Sequence, residues 1–345
     1  MKKYLTSFGI VGAVFILAAC SSNEQATDSS TKASTTMNSQ DEKQTKYPLS
    51  LSVLDNDGKN HEQTFEKEPE RVVTNNLSST ELLLALGLKE KIVGIMQPDN
   101  QVTGTYAKEV DSLPVVGDKM TVSKEKIAEK NPDVVIGRAM AFTDDAIGSI
   151  ASYNDLGIQT YLQEASNMKD KPQLTTIIED VRHLGEIFNK QVTAETYAKQ
   201  LEKRLATVEK QVSEKKGTEE LTLLPIVAFD STKSTFSIFN ISESIQSSML
   251  RELNVKPAIE GKSASPSLET IIQTNPDIIL YVTADRNKAM DETAVDSIKG
   301  EALLQEVKAI KNDRVYTVAY DDFMDYGTRL FDTMEMLSTK LYGNK

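Results

Sequence analysis

Residues 123–136 read SKEKIAEKNPDVVI, and residues 267–280 read SLETIIQTNPDIIL. The second stretch begins 144 residues after the first and keeps the serine, the glutamate, the isoleucine, Asn-Pro-Asp and a closing aliphatic triplet; nine of the fourteen positions match or are similar. Each copy reads as a helix running into a strand. Ser123 or Ser267 caps a short helix, and the proline pushes the residue before it out of the α region. Three aliphatics then enter a buried-type strand. Lys126 stands where a complete capping box would carry glutamate. Such junctions recur in α/β proteins, so the repetition argues for two like lobes and says less about function.

Outward from the first copy, strands are expected at Arg71–Val73, Lys91–Met96 and Ile158–Leu162, with a helix over Ser79–Leu86 stopped by Gly87. Outward from the second, strands are expected at Leu221–Phe229 and Val315–Ala319, with helices over Ser242–Leu253 and Arg329–Leu341. Tyr47–Leu54, Asn56-Asp57-Gly58 and His61–Phe65 read as a hairpin ahead of both. Between the halves, Leu174–Phe188 has helical spacing. Thr193–Ser213 continues it with Ala194, Tyr197, Leu201, Leu205, Val208 and Val212 on one stripe, uninterrupted by glycine or proline. A helix of that length spans about 30 Å, the width of a small domain. The expected fold class is α/β: two lobes with largely parallel sheets, joined by one long spanning helix and preceded by a short β hairpin.

The amino terminus stands apart. Lys2 and Lys3 precede an apolar run too short to span a bilayer stably, closing on Leu17-Ala18-Ala19-Cys20. That layout is a secretory leader, and the small residues before a cysteine resemble a bacterial lipobox. Cys20, the only cysteine, is then the first mature residue and carries the lipid, which leaves no thiol for disulfide, metal or nucleophile. Residues 21–46 hold almost nothing apolar and read as a flexible tether. The expected divisions are a leader at 1–19, a lipidated tether at 20–46, a first lobe at 47–190, the spanning helix at 191–216 and a second lobe at 217–345. Losing the leader discards two lysines and no acid, taking the formal charge from −12 to −14. Such an acidic body is a poor nucleic-acid binder.

The succession Pro69-Glu70-Arg71-Val72-Val73, Ser79-Thr80-Glu81-Leu82-Leu83-Leu84-Ala85-Leu86-Gly87-Leu88, Lys91-Ile92-Val93-Gly94 and both Asn-Pro-Asp phrases resembles the iron-siderophore and cobalamin substrate-binding proteins of ABC importers. The likeness runs from about Tyr47 to the carboxyl terminus. It implies a ligand in the cleft between two lobes that flank a rigid helix. It also implies that Glu125 and Glu269 dock on arginines of a membrane permease served by a cytoplasmic ATPase. Either glutamate alone is also explained by the favourable field at a helix start. A lipid on Cys20 fits a monomeric receptor held on the outer face of the cytoplasmic membrane of a Gram-positive cell.

Ligands of α/β lobes meet the loops beyond the carboxyl ends of strands. Those loops offer Asn76, Lys119, Arg138, Phe236, Phe239, Arg286, Phe323 and Tyr326, with Arg329 just inside the last helix; the family resemblance places Lys119, Arg138 and the Phe323 loop at the cleft. A ferric catecholate is anionic and suits bidentate arginine with ammonium support. Each cation is equally explained by pairing with a nearby acid such as Asp118, Asp144, Asp285 or Asp325, and the phenylalanines by core packing. Haem is an alternative, with Tyr320, Tyr326, Met140 or Met324 as axial donors, as is cobalamin, although tryptophan is absent. No permanent cofactor and no directly bound metal is expected: Fe(III) would arrive as a siderophore chelate, and the only histidines are His61 and His183. An extracytoplasmic hydrolase is the remote alternative, since no Gly-x-Ser-x-Gly and no tryptophan-lined carboxylate pair is present.

Overall fold

A computed structural model describes residues 44–217, 219–261 and 266–343. The leader, Cys20 and most of the tether lie outside the described residues. The chain is already fixed at Thr45, one residue before the expected end of the tether. Thr45 N donates to Asn189 Oδ1 at 2.9 Å and Thr45 Oγ1 to the Glu186 carbonyl at 2.6 Å. Those bonds come from side chains and a helix end that periodicity does not register.

Strands β1 (Leu49–Leu54) and β2 (Asn60–Phe65) form the antiparallel hairpin. Asp55 Oδ1 accepts the N–H groups of Asp57 and Lys59, and Gly58 takes the positive φ that the turn needs.

The first sheet contains β3 (Val72–Thr74), β4 (Ile92–Met96), β5 (Val115–Gly117), β6 (Val134–Arg138) and β7 (Gln159–Gln163), all parallel, in the order β5-β4-β3-β6-β7. The second contains β8 (Leu221–Asp230), β9 (Thr235–Ile238), β10 (Val255–Pro257), β11 (Ile278–Thr283) and β12 (Val315–Ala319). Its parallel order is β10-β8-β11-β12, and β9 pairs antiparallel with β8. Both sheets are doubly wound: the chain starts in the middle, builds to one side, then crosses to the other. The repeated phrase makes that crossing in each lobe. The first copy feeds β6, beside β3, and the second feeds β11, beside β8.

The copies share their chemistry as well as their place. Helices Lys124–Ala128 and Leu268–Thr274 bury Ile127 and Ile271 completely. Ser123 caps the first through the Lys126 N–H, whereas the second closes a full box because Thr270 returns a bond to the Ser267 N–H. Asn131 and Asn275 both turn out of their helices with positive φ, a conformation that asparagine tolerates.

Helix Gln191–Lys215 is the long connector, 25 residues and about 37 Å by its rise. It buries Ala194, Ala198, Leu201, Leu205, Val208 and Val212 against helices Thr176–Ile187 and Arg329–Tyr342. Arg204 bonds Asp332 and Glu335, while Arg182 bonds Glu179, Glu195 and Glu202. Apolar packing therefore continues from the first sheet through this helix to one face of the second. The other face of the second sheet has its own core, with Ile226, Ile279, Tyr281 and Ile298. Among the described residues no helix is long and apolar enough to cross a membrane.

Candidate functional site

In a doubly wound sheet a crevice opens where neighbouring strands send their connections to opposite sides. In the first lobe that place is the carboxyl end of β3 and β6, which is occupied by Asn75, Asn76 and Arg138. Gly137 lets the two strand ends approach, since a Cβ there would clash with the Asn75 side chain. Asn75 Oδ1 then accepts the Arg138 N–H at 2.9 Å.

Asn76 itself is buried and tied across the lobe boundary. Its Nδ2 donates to Gln163 Oε1 at 2.8 Å and to Asp325 Oδ1 at 2.7 Å. Helix Leu77–Ala85 has no side-chain cap from Asn76. Asp325 of the second lobe supplies the anion instead, accepting the Ser78 N–H at 2.8 Å. A carboxylate at that end meets free N–H groups and the positive end of the helix dipole. Gly327 permits the contact, because any side chain there would strike Ser78.

A second tie runs through Arg329. It donates Nε and Nη2 to the two Glu81 oxygens at 2.8 and 2.7 Å, Nη1 to Asp322 at 2.7 Å and Nη2 to the Thr103 carbonyl at 2.7 Å. Burial raises the Glu81 pKa even against the pull of Arg329. Burial lowers that of Arg329, but Glu81 and Asp322 overrule it and hold it above the ordinary arginine value.

The loop after β4, residues 97–103, straps the first lobe to the second. Asp285 N donates to the Asp99 carbonyl at 3.0 Å, Asn100 N to Asp321 Oδ2 at 2.8 Å, Asn100 Nδ2 to the Thr283 carbonyl at 3.1 Å and Gln101 N to Asp285 Oδ2 at 2.8 Å. Burial first, and Asp325 second, push Asp321 up to about 8.

Beside the strap the cations gather. Asp99 Oδ2 lies 2.5 Å from Lys119 Nζ, and the other oxygen of Asp99 pairs with Arg286. Lys119 Nζ sits 4.0 Å from the centroid of the Tyr320 ring and Arg286 Cζ 5.3 Å from it, and Phe239 packs edge-on to that ring at 5.8 Å. Tyr326 Oη reaches across to Met140 Sδ at 3.7 Å. Burial pushes the Tyr326 phenol up to about 12 despite the opposing Arg138 charge. Burial also pulls Lys119 below its ordinary value; Arg138 and Arg286 add to this and Asp99 opposes it.

Arg138 differs from its neighbours. Its charge acts on Lys119, Tyr320 and Tyr326, yet its Nε is buried with no hydrogen-bond partner. Among the described residues it has no carboxylate within ion-pair distance. A buried guanidinium donor without an acceptor is costly unless something else supplies one.

Lys119, Arg138, Arg286, Phe239 and Tyr326 therefore share one environment with Tyr320. The other sequence-derived candidates do not join it. Asn76 and Arg329 are lobe ties. Phe236 is buried against Phe229 at 6.3 Å in the second core, because β9 folds back on β8 where a loop was expected. Phe323 is fully buried, since Tyr320–Phe323 forms a helical turn that points it inward. The paired acids also differ from those anticipated: Asp99, Glu81 and Asp322 serve where Asp118, Asp144, Asp285 and Asp325 were considered. Asp118 closes its own turn through Thr121 instead. Asp99 and Asn100 are not among the sequence-derived candidates, although Pro98-Asp99-Asn100 follows the carboxyl end of β4 and the strand-end rule reaches it.

Glu125 and Glu269 occupy the first turns of the two repeated helices. The Glu125 carboxylate is held below its usual range by its own backbone N–H and by Ser123. His61 pairs with Asp55 at 2.7 Å, and His183 contacts Glu164 at 3.1 Å and Tyr161 at 3.3 Å. Among the described residues no group of three or more His, Cys, Asp or Glu side chains converges to hold a metal. A cavity of about 650 Å³ near Thr45, Leu49 and Ala194 lies elsewhere, and its Arg182 is already engaged by three glutamates.

The pattern of the periplasmic binding protein family matches residues 72–320, the span of both sheets. The chain belongs to that family. An uncharacterized ABC transporter substrate-binding lipoprotein of Bacillus subtilis, YvrC, is 27% identical over 332 residues, covering 96% of this chain and 94% of the relative. The iron-uptake system-binding protein of the same organism is 23% identical over 95% of this chain and 94% of its own length. A periplasmic binding protein from Veillonella parvula has the same fold, with a TM-score of 0.73 at 23% identity over 87% of this chain and 93% of that one.

Proposed function

We propose that this chain is the extracytoplasmic substrate-binding lipoprotein of an ABC importer, and that it takes an anionic ferric siderophore between its lobes. Arg138 carries the proposal: a guanidinium with a buried, unpartnered Nε beside Lys119, Arg286 and the Tyr320 and Tyr326 rings. Oxygen-rich anionic chelates supply the acceptors that such a group lacks. The iron-uptake relative supports iron as cargo. Two relatives named as lipoproteins support a lipid on Cys20 and a place on the outer face of the cytoplasmic membrane. Glu125 and Glu269, one on each lobe, are the contacts for the permease, whose cytoplasmic partner hydrolyses ATP. Polar ties and continuous packing along helix Gln191–Lys215 limit closure to a modest movement.

A haem cargo is the second reading. Met140 and Tyr326, both able to bind haem iron axially, touch across the cleft at 3.7 Å. Quenching of tyrosine fluorescence against ferric catecholate, ferric hydroxamate, ferric citrate, haem and cobalamin separates the readings. Saturable binding of the anionic ferric chelates, weakened in Arg138→Gln, is expected. Saturable binding of haem or cobalamin alone replaces the siderophore by that ligand.

A further inference from the structure

The two cleft cations Lys119 and Arg286 share a single carboxylate, Asp99, and among the described residues neither has another acidic partner. Asp99 is nearly buried, with a side-chain exposure of 9%, and it comes from the strap that closes one side of the cleft. Its carboxylate is not what holds the strap. Four bonds do so without it: Asp285 N to the Asp99 carbonyl, Asn100 N to Asp321, Asn100 Nδ2 to the Thr283 carbonyl and Gln101 N to Asp285. Lys119, on the first-lobe loop after β5, and Arg286, on the second-lobe turn after β11, would repel one another across the Tyr320 ring without a negative group between them.

We infer that Asp99 is an internal counter-anion: its carboxylate occupies the position between Lys119 and Arg286 that an acidic oxygen of the cargo would take, and so it sets the charge of cargo that the cleft accepts. Arg138 offers an unfilled place, whereas the Lys119–Arg286 place is already filled. A strongly anionic chelate must displace Asp99 or lie beside it, so the wild-type cleft discounts excess negative charge. A near-neutral chelate engages Arg138 and leaves the Asp99 pairing intact. The inference rests on the reading that the cleft takes an anionic cargo, and it adds the residue that limits how anionic.

Asp99→Asn keeps the size and the hydrogen-bonding edge while removing the charge. Titrated at neutral pH, it should bind ferric tris-catecholate about tenfold more tightly than wild type, a gain of about 1.4 kcal/mol. Its affinity for the near-neutral ferric tris-hydroxamate should change less than about twofold. Asp99→Glu, which restores the charge, should return the catecholate affinity to within about threefold of wild type. Unchanged catecholate binding in Asp99→Asn, or equal behaviour of the Asn and Glu variants, overturns the proposal. Inorganic phosphate separates its failure from failure of the siderophore reading. If neither chelate binds wild type, that reading fails, and Asp99→Asn must still gain phosphate affinity about tenfold; no gain sinks the counter-anion as well. Should Asp99→Asn not fold, carboxyl-carbon NMR of wild-type Asp99 decides. Saturating ferric catecholate, or failing that phosphate, must move its resonance, and a static resonance overturns the idea.

Discussion

Arg329 grips Glu81 across the lobe boundary with two parallel bonds, Nε to Oε2 at 2.8 Å and Nη2 to Oε1 at 2.7 Å. Both side chains are largely withdrawn from water, with exposures of 15% and 6%. Removing one partner strands the other, which costs about 3–5 kcal/mol for a buried pair. Arg329→Gln is therefore expected to lose about 3 kcal/mol in urea unfolding. A stable Arg329→Gln protein that no longer binds ferric catecholate would return Arg329 to the cargo site.

Arg138 is expected to behave in the opposite sense. It has no ion pair to lose, so Arg138→Gln should leave the unfolding midpoint unchanged or raise it slightly. Loss of one charge-assisted contact, worth about 1.5–3 kcal/mol, should weaken binding of a ferric catecholate by about tenfold to a hundredfold. A variant that binds normally removes the observation on which the siderophore reading stands.

Asp321 links stability to pH. Its folded pKa of about 8 lies well above the unfolded value of about 3.9. The folded chain thus holds a proton that the unfolded chain releases between those values. This group's contribution to stability is fully present below about pH 4 and is lost as the pH rises through about 8. Asp321→Asn, which cannot ionise, should flatten the decline between pH 5 and 9 in urea melts run at intervals across that window. Parallel curves for the two proteins would show that Asp321 does not titrate there.

Much of the framework is legible in the amino-acid pattern alone. The aliphatic triplets of the repeated phrase form β6 and β11, and the expected Thr193–Ser213 stripe lies within helix Gln191–Lys215. Both are strong periodic signals with clear stops. Helix Lys288–Gly300 escapes such a reading because it buries only Ala294 and Ile298, too few positions to make a stripe. Strand β10 escapes because it is three residues long, sits at a sheet edge and ends in Pro257. The site is legible as a set of strand ends but not as a set of pairings. Asp99 and Arg286 are 187 residues apart, and no local pattern encodes which carboxylate meets which cation. The phenylalanines mislead for a related reason: Phe236 and Phe323 follow strands, but the short elements holding them turn both rings into the core.

Under the proposed function, Glu125 and Glu269 bear on delivery and not on capture. Each stands in the first turn of its repeated helix, and neither has an ion pair among the described residues. Their replacement by lysine leaves the buried anchors Ile127 and Ile271 untouched, so folding and chelate affinity should hold in the double variant. The unfavourable sign at the two helix starts is a small local effect. Uptake should differ, because reversing both charges would turn the attraction that this docking requires of a basic permease surface into repulsion. Cells carrying the double variant as their only copy should take up almost none of the radiolabelled ferric chelate, while the purified protein binds it as wild type does. Each single variant should fall between. Normal uptake by the double variant would move the permease contact to another surface, and weakened chelate binding would move one of the two glutamates into the cleft.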